Sequence, residues 1–516
     1  MPFENEVTFV KYSKAGKERD FHEQYENAVK AAEKYLNKEY PNIIGDEIRE
    51  NEKVKLVSPI NGKEIATFQA GSRDSVDKAV EILKTGQKEW FSMGYVKRAQ
   101  IFLKAADLVA KDKFLISALL AHENGKTRME AVADVDEGID FLRYYALNLI
   151  ENQGFVRFTG KGYENEESVS YMKPYGIFAV IAPFNFYAIT VGMVAGPLIT
   201  GNAVILKPSS NIPLSSYLYI KTLYEAGVPR NALAFISGKG SVIGPYIVAH
   251  RDISGVLFTG SRQAGMDIFK NATRDRPKVV ITEMGGKDTI IVTNKASLEK
   301  AVNGVYRAAF GYSGQKCSAC SIAYVEEGIY DNFVKRIKEV TEKLKLDDPR
   351  LADTYLGPVI NQESIEKFKD AIEKARKDGK IISGGKILDR PGYYVEPTLV
   401  TDLPQDSYII KNELFLPFLA IVKVKSLDDA IKRVNASDYG LTGGIFTEDP
   451  GEIQKYFDEA EVGVIYANRE RGGSTGAMVG SQPFVGWKLS GISGKGTGSF
   501  YYLQQFLREQ SQTIAH

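Results

Sequence analysis

The 516-residue chain has only two cysteines, four histidines and two tryptophans. Two thiols cannot build a disulfide framework, and their scarcity fits a reducing compartment. Nor can they build a zinc site. Cys317 and Cys320 supply a Cys-x-x-Cys pair, but His22, His122, His250 and His516 are scattered without ligand spacing. No metal is expected. An excess of either charge is also missing, with 66 basic against 65 acidic side chains, so nucleic acid and anionic membrane are not expected partners. The start, Met1-Pro2-Phe3-Glu4-Asn5-Glu6, has no basic region leading into an apolar core, so the sequence reads as cytoplasmic. The one long uncharged stretch, Tyr175 to Leu206, is broken by Pro183, Asn185, Pro197, Gly201 and Asn202. Such breaks suit a buried strand–loop–helix–strand unit better than a membrane span. Two nucleotide signatures are absent as well. Gly238-Lys239-Gly240 has Ile243 where a G-x-G-x-x-G loop needs its third glycine, and neither Gly125-Lys126-Thr127 nor Gly494-Lys495-Gly496 is a P-loop.

What is present is an ordinary globular composition, 44% hydrophobic and 25% charged, long enough for two or three domains. Residues 1–50 read as a helix-prone extension packed on the body. A strand pair is expected around Lys53–Ser58 and Glu64–Gln69, then a helix capped by Asp74 or Ser75 and carrying Val76, Ala79, Val80 and Leu83 at helical spacing. Further helices fit Ala99–Ala110 and Arg128–Asn148. Glu137 on the second of these reads as a solvated or ion-paired face residue. From Gly176, strands (178–181, 203–206, 233–236, 255–258, 279–282) alternate with helices (214–226, 242–249, 263–271). That alternation predicts a parallel doubly wound sheet binding its ligand at the carboxyl ends of the strands. The loops there are Pro183–Phe186, Lys207–Ser210, Ser237–Ser241 and Thr259–Ser261, and together they favour an adenine dinucleotide. A second strand–helix block runs from Cys317 to about Val464. Glycine-rich turns at 472–477 can form an anion-binding nest. Phe506–Ile514 alternates as a strand that could pair with another subunit.

The chemistry centres on Phe310–Cys320. Small residues (Ser313, Gly314, Ser318, Ala319) surround Cys317 and allow close approach, and Lys316 is a cation that could favour the thiolate. Buried filler is the plainer reading of a lone cysteine. Thirty-four residues upstream, Glu283-Met284-Gly285-Gly286-Lys287 ends an apolar run with a carboxylate, giving a nucleophile and a distant base.

Gly314-Gln315-Lys316-Cys317, Glu283-Met284-Gly285-Gly286-Lys287, Pro183-Phe184-Asn185-Phe186 and Glu413-Leu414-Phe415 resemble, in order and spacing, motifs of the aldehyde dehydrogenase superfamily, and the resemblance runs from about residue 55 to 505. It implies an α/β protein with these parts: an N-terminal extension and first part of the cofactor domain (1–157), an oligomerisation hairpin (158–174), a Rossmann-like dinucleotide domain (175–284), a catalytic domain (285–490) and a C-terminal oligomerisation strand (491–516). It implies Cys317 as nucleophile, Asn185 with the Cys317 N–H as oxyanion donors, and Glu283 as the base that activates water. Lys207, Ser210, Gly240, Gly260, Ser261, Glu413 and Phe415 would bind NAD or NADP. Gly476-Ala477 followed by Gly480-x-Gln482-Pro483-Phe484, with Ser318 and the run Asp136–Tyr145, resembles the 1-pyrroline-5-carboxylate dehydrogenase family. By that resemblance Ser318, Gly476, Ala477, Phe184, Phe484 and Glu137 would bind an amino-acid aldehyde, glutamate semialdehyde, whose carboxylate needs donors once desolvated. Another small or acidic aldehyde, a reductase without a hydrolytic base, and a catalytically silent dinucleotide-binding protein are the rival readings. The sequence departs from the family pattern at Tyr187, Leu416 and Val485-Gly486, at extra residues around Glu470–Gly472, and at Lys495-Gly496-Thr497-Gly498. Tyr187 and Leu416 are expected to flank the active site and narrow it. Ser210 stands where many NAD-preferring relatives carry Glu, so NADP should be tolerated. A dimer or larger homo-oligomer would form through residues 158–174 and 500–516.

Overall fold

Five largely apolar runs, four of them buried along nearly their whole length, form the parallel heart of the first sheet. They lie in the order Leu233–Phe235, Ala203–Lys207, Ile177–Ile181, Gly255–Thr259, Val279–Glu283. Helices on both faces exclude water, so the strands read as continuous Val/Ile/Ala/Phe rather than as an alternation. These are the features of a computed structural model that describes residues 3–470 and 478–516. The strand order reverses between Ile177–Ile181 and Gly255–Thr259. That reversal is the topological switch point, where a crevice opens at the carboxyl ends.

One part of the sheet departs from expectation. Asn42–Ile44 and Asp46–Ile48, from the stretch read as helix-prone, add two antiparallel strands beside Leu233–Phe235. Helices Thr8–Lys14 and Glu18–Ala32 do precede them. Lys53–Val57 and Glu64–Gln69 pair antiparallel as the turn between them predicts. The following helix, Arg73–Ser92, is capped by Ser72 and not by Asp74 or Ser75. Ser75 occupies the third helical position and closes a capping box with Ser72, which puts Val76, Ala79, Val80 and Leu83 on the buried face.

The second sheet holds Lys380–Ser383, Thr398–Thr401, Phe418–Val424, Cys320–Glu326, Asp288–Val292, Thr442–Phe446 and Val464–Ala467. All neighbours are parallel except the first pair. The chain passes from one sheet to the other through residues 284–287, directly after Glu283. Cys317 lies just ahead of the central strand Cys320–Glu326. Base and thiol therefore sit on opposite sides of one seam.

The last strand, Leu507–Ala515, pairs along its whole length with Glu166–Pro174 of its own chain, which in turn pairs with Val156–Gly160. Its partner is thus intramolecular. From Arg508 to Ala515 the strand is exposed. Among the described residues, no helix is long and apolar enough to cross a membrane.

Candidate active site

Three consecutive left-handed residues deliver Cys317. Tyr312, Ser313 and Gly314 have φ of 51°, 52° and 68°. Gly314 is required there: a Cβ would come within 2.1 Å of the Leu416 carbonyl oxygen. Tyr312 and Ser313 each carry about 1 kcal/mol of backbone strain or more. Their hydroxyls hold them in place, Tyr312 donating to the Asn124 carbonyl at 3.0 Å and Ser313 to the Gly357 carbonyl at 2.7 Å.

Cys317 is half-buried, and burial pushes its thiol well above the ordinary value, with Asp288, Glu413 and Glu283 adding negative charge nearby. Lys316 does not offset this. Its ammonium is committed to Glu130 at 3.0 Å, so the expectation that it favours the thiolate is corrected by the ion pair. Glu283 ends the strand Val279–Glu283. Its Oε2 has no hydrogen-bond partner among the described residues, and burial raises its carboxyl to about 8. The Asn185 amide donates to the Gln315 carbonyl at 3.1 Å, tying the asparagine loop to the cysteine loop. An amide carries two N–H groups, so this bond uses one of them; Asn185 itself is not among the residues lining the cavity of Cys317 and Glu283.

Cys317 and Glu283 line one cavity of about 420 Å³, large enough for a small organic ligand. Ser318, Phe484 and Glu137 line it too. Ser318 Oγ is buried with no hydrogen-bond partner among the described residues. Glu137 is not the solvated or ion-paired face residue its helix pattern suggested. Burial, followed by the charge of Asp134, raises its carboxyl to about 7. Phe184 is not brought into the cavity. Its ring meets Phe415 edge-on at 5.8 Å, and Phe186 lines the wall instead. Gly476 and Ala477 lie outside the described residues.

Two further expectations are corrected. Tyr187 does not narrow the cavity. A helix starts at this residue, its N–H donates to Asp134 Oδ2 at 2.9 Å, and its buried ring packs on Tyr219. Leu416 lies in the core of the second sheet, against Gly314. Both departures from the family pattern are absorbed by packing.

Sequence reasoning also missed contributors. Lys126, from a triplet with no assigned use, is fully buried, pairs with Asp134 at 2.6 Å, and places its ammonium 3.7 Å from the Phe186 ring centroid. It thereby holds that wall. Glu6, Val7, Thr8, Phe9 and Val10 also line the cavity. Neither contribution has a motif that could have announced it.

The crevice at the switch point carries the cofactor candidates. Lys207 is buried at the end of its strand. Its ammonium donates to the Pro208 carbonyl at 2.7 Å, and burial lowers it to about 8. Gly240 opens the helix Gly240–Ala249 beside it, where a Cβ would stand 3.7 Å from Lys207 Nζ. Ser210 Oγ lies 3.4 Å from the Gly238 carbonyl. Ser261 caps the helix Arg262–Ala272. Gly260 is dictated by packing, since a Cβ there would meet the Phe258 ring at 2.5 Å. A buried ammonium with donors to spare and two helix N-termini fit ribose hydroxyls and phosphates. Glu413 accepts the Gly286 N–H at 3.1 Å, and burial raises its carboxyl to about 7. Phe415 follows with φ of 59°. Among the described residues, no cluster of three or more His, Cys, Asp or Glu could hold a metal.

The sequence profile of the aldehyde dehydrogenase family matches residues 47–511. A 1-pyrroline-5-carboxylate dehydrogenase from Geobacillus sp. (strain WCH70) is 38% identical over 499 residues, 95% of each chain. One from Bacillus licheniformis is 38% identical over 489 residues, 93% of each chain. Among solved structures, a 1-pyrroline-5-carboxylate dehydrogenase from Thermus with bound NAD superposes with a TM-score of 0.95 at 33% identity, covering 100% of this chain and 99% of its own.

Proposed function

Because the chain belongs to the aldehyde dehydrogenase family, we propose that it oxidises L-glutamate 5-semialdehyde, the open form of 1-pyrroline-5-carboxylate, to L-glutamate in proline degradation. The observation that carries the substrate assignment is Ser318. A buried hydroxyl without a partner among the described residues, adjacent to the nucleophile and lining the same cavity, is a donor waiting for an acceptor such as the substrate carboxylate. The glycine turns around Gly476 and Ala477 would add N–H donors.

In this reading Cys317 Sγ, after giving up its proton to solvent water, attacks the aldehyde carbon. The developing oxyanion is held by the free N–H of the Asn185 amide and the Cys317 N–H. NAD, when bound, would supply the hydride acceptor. Loss of hydride from the Cys317 adduct leaves a thioester. Glu283 then takes a proton from water, the hydroxide attacks the thioester carbonyl, and the Cys317 sulfur departs with glutamate released. The raised carboxyl of Glu283 suits it to this step, since a base near 8 pulls a proton more strongly than an ordinary carboxylate. Lys207 and Glu413 would hold the two riboses, and Gly240, Gly260 and Ser261 the phosphates. Phe415 would pack beside the nicotinamide ribose. The protein would act in the cytoplasm, in keeping with its two free thiols. The exposed three-stranded arm formed by residues 156–174 and 507–515 would join subunits of a homo-oligomer.

Asn185→Ala should lower kcat by about 10²–10³-fold, the usual cost of one oxyanion donor, while leaving substrate binding nearly intact. Stopped-flow and steady-state rates on the variant check this; an unchanged kcat would remove Asn185 from the oxyanion site. Ser210 adds no negative charge near the ribose 2′ position, so NADP should support turnover. Ser210→Glu should then reduce kcat/KM for NADP at least about tenfold more than for NAD, through like-charge repulsion. Equal losses with both cofactors would place the 2′ position elsewhere. The substrate itself is tested by NADH production from glutamate semialdehyde, propionaldehyde and succinate semialdehyde in parallel. The highest kcat/KM belongs to glutamate semialdehyde. A higher value for either of the others would keep the chemistry and discard the substrate.

A further inference from the structure

Two aspartates in the run Asp136–Tyr145 are spent on the chain's own N-terminal segment and not on a ligand. Asp140 accepts the Glu6 N–H at 2.7 Å and the Asn5 amide at 2.9 Å. Asp136 accepts the Thr8 N–H at 2.8 Å and the Thr8 hydroxyl at 2.8 Å. The match is geometric. Four residues along a helix rise about 6 Å. Asp136 takes the first N–H of the helix Thr8–Lys14, which has no intrahelical partner, and Asp140, one turn on, takes the Glu6 N–H two residues ahead of it. Lys113 completes the seat by donating to Asp136 at 2.9 Å, Thr8 Oγ1 at 2.6 Å and Glu6 at 3.1 Å. Arg143 takes the other Glu6 oxygen at 2.8 Å. Phe3 closes on Tyr144 edge-to-face at 5.1 Å, and Asn5 also reaches the Val479 carbonyl at 3.0 Å.

With its polar groups committed to this seat, the segment contributes apolar side chains to the cavity. Val7, Phe9 and Val10 line it together with Met129 and Val132, in the same space that holds Cys317 and Glu283. Phe9 is backed by Phe21 of the next helix at 5.1 Å, so the wall is braced from outside. Seven hydrogen bonds to buried or half-buried charged groups are more than a terminus needs merely to avoid fraying.

We infer that residues 6–10 form a fixed wall of the substrate cavity and set the length of aldehyde that can reach Cys317, with Asp136 and Asp140 as the positioning residues that seat it. The inference rests on the reading of this cavity as the aldehyde site. Without the wall, the cavity opens beside Met129 and Val132 to an apolar chain. With a bulkier wall, it shortens. A short-chain semialdehyde is unaffected by this boundary in a way that a long alkanal is not.

The test is the ratio of kcat/KM for octanal to that for propanal, measured with NAD on three folded proteins: the parent chain, a chain lacking residues 2–10, and Val7→Trp. Thermal unfolding verifies that each is folded. The ratio should rise at least about tenfold in the truncated chain and fall at least about fivefold in Val7→Trp, as a few methylenes gained or lost in an apolar pocket would give. Should the truncated chain fail to fold, Val7→Trp, which keeps the seat, decides alone. A ratio within twofold of the parent in a folded variant overturns the wall. A parent that oxidises neither aldehyde nor glutamate semialdehyde overturns the functional reading instead, and the wall with it.

Discussion

Replacing Cys317 with alanine abolishes aldehyde oxidation, lowering kcat/KM by about 10⁴-fold or more, because covalent catalysis has no substitute for its nucleophile. The fold survives the change. Cys317 is half-buried at the edge of a cavity, so removing its sulfur leaves no sealed void, and Tm should move by no more than a few degrees. Cys320→Ala is the control. Its sulfur is fully buried and its thiol donates to the Ile322 carbonyl at 3.4 Å, so its loss costs about 1 kcal/mol of stability and little activity. The contrast tests the choice of Cys317 over Cys320 that the Gly314-Gln315-Lys316-Cys317 motif made. Steady-state NADH formation with both variants checks it. Retained activity in Cys317→Ala would return Cys317 to the buried-filler reading.

Glu283→Gln carries the second large effect. The variant should still form NADH once, in a burst approaching one equivalent per active site, and then turn over about 10²–10⁴-fold more slowly than the parent, the range for loss of a general base. Acylation and hydride loss precede the step that needs this carboxylate, so the burst survives while its decay does not. The pH dependence follows from the direction of the shift. Burial raises Glu283 to about 8, and the base is its ionised form. Thioester hydrolysis therefore rises with pH through about 8 and flattens above it, and that limb is missing in Glu283→Gln. The Cys317 thiol is also pushed up, and its ionisation bears on the burst. Stopped-flow traces across pH 6 to 9 separate the two. A steady-state limb unchanged by Glu283→Gln would assign the base elsewhere.

How far the site could be read from sequence depended on whether a contact is local. The strands of the first sheet were legible to within a residue or two. A strand buried on both faces must be a continuous apolar run, and its ends are marked by Lys207, Thr259 and Glu283. Cys317, Glu283 and Asn185 were legible because each sits in a local motif. Side-chain direction was not. Tyr187 follows Asn185 by two residues, yet a helix begins there and turns its ring into the core, where Tyr219 receives it. Phe184, expected in the cavity, meets Phe415 instead, while Phe186 lines the wall. Lys316 adjoins Cys317 in sequence but answers to Glu130, on the distant helix Arg128–Glu151. The short strands Asn42–Ile44 and Asp46–Ile48 are too brief to show a period, and only pairing with Leu233–Phe235 defines them. The wall formed by Val7, Phe9 and Val10 depends on hydrogen bonds more than a hundred residues apart in sequence, which no local pattern encodes.

The most direct measurement is the mass of the covalent adduct on Glu283→Gln after incubation with NAD and glutamate semialdehyde. The result predicted is one glutamyl group per chain, recovered on the peptide containing Cys317, with one equivalent of NADH released. Such an adduct ties together the substrate, the nucleophile and the base. No adduct on Cys317, or full turnover without accumulation, would contradict the account.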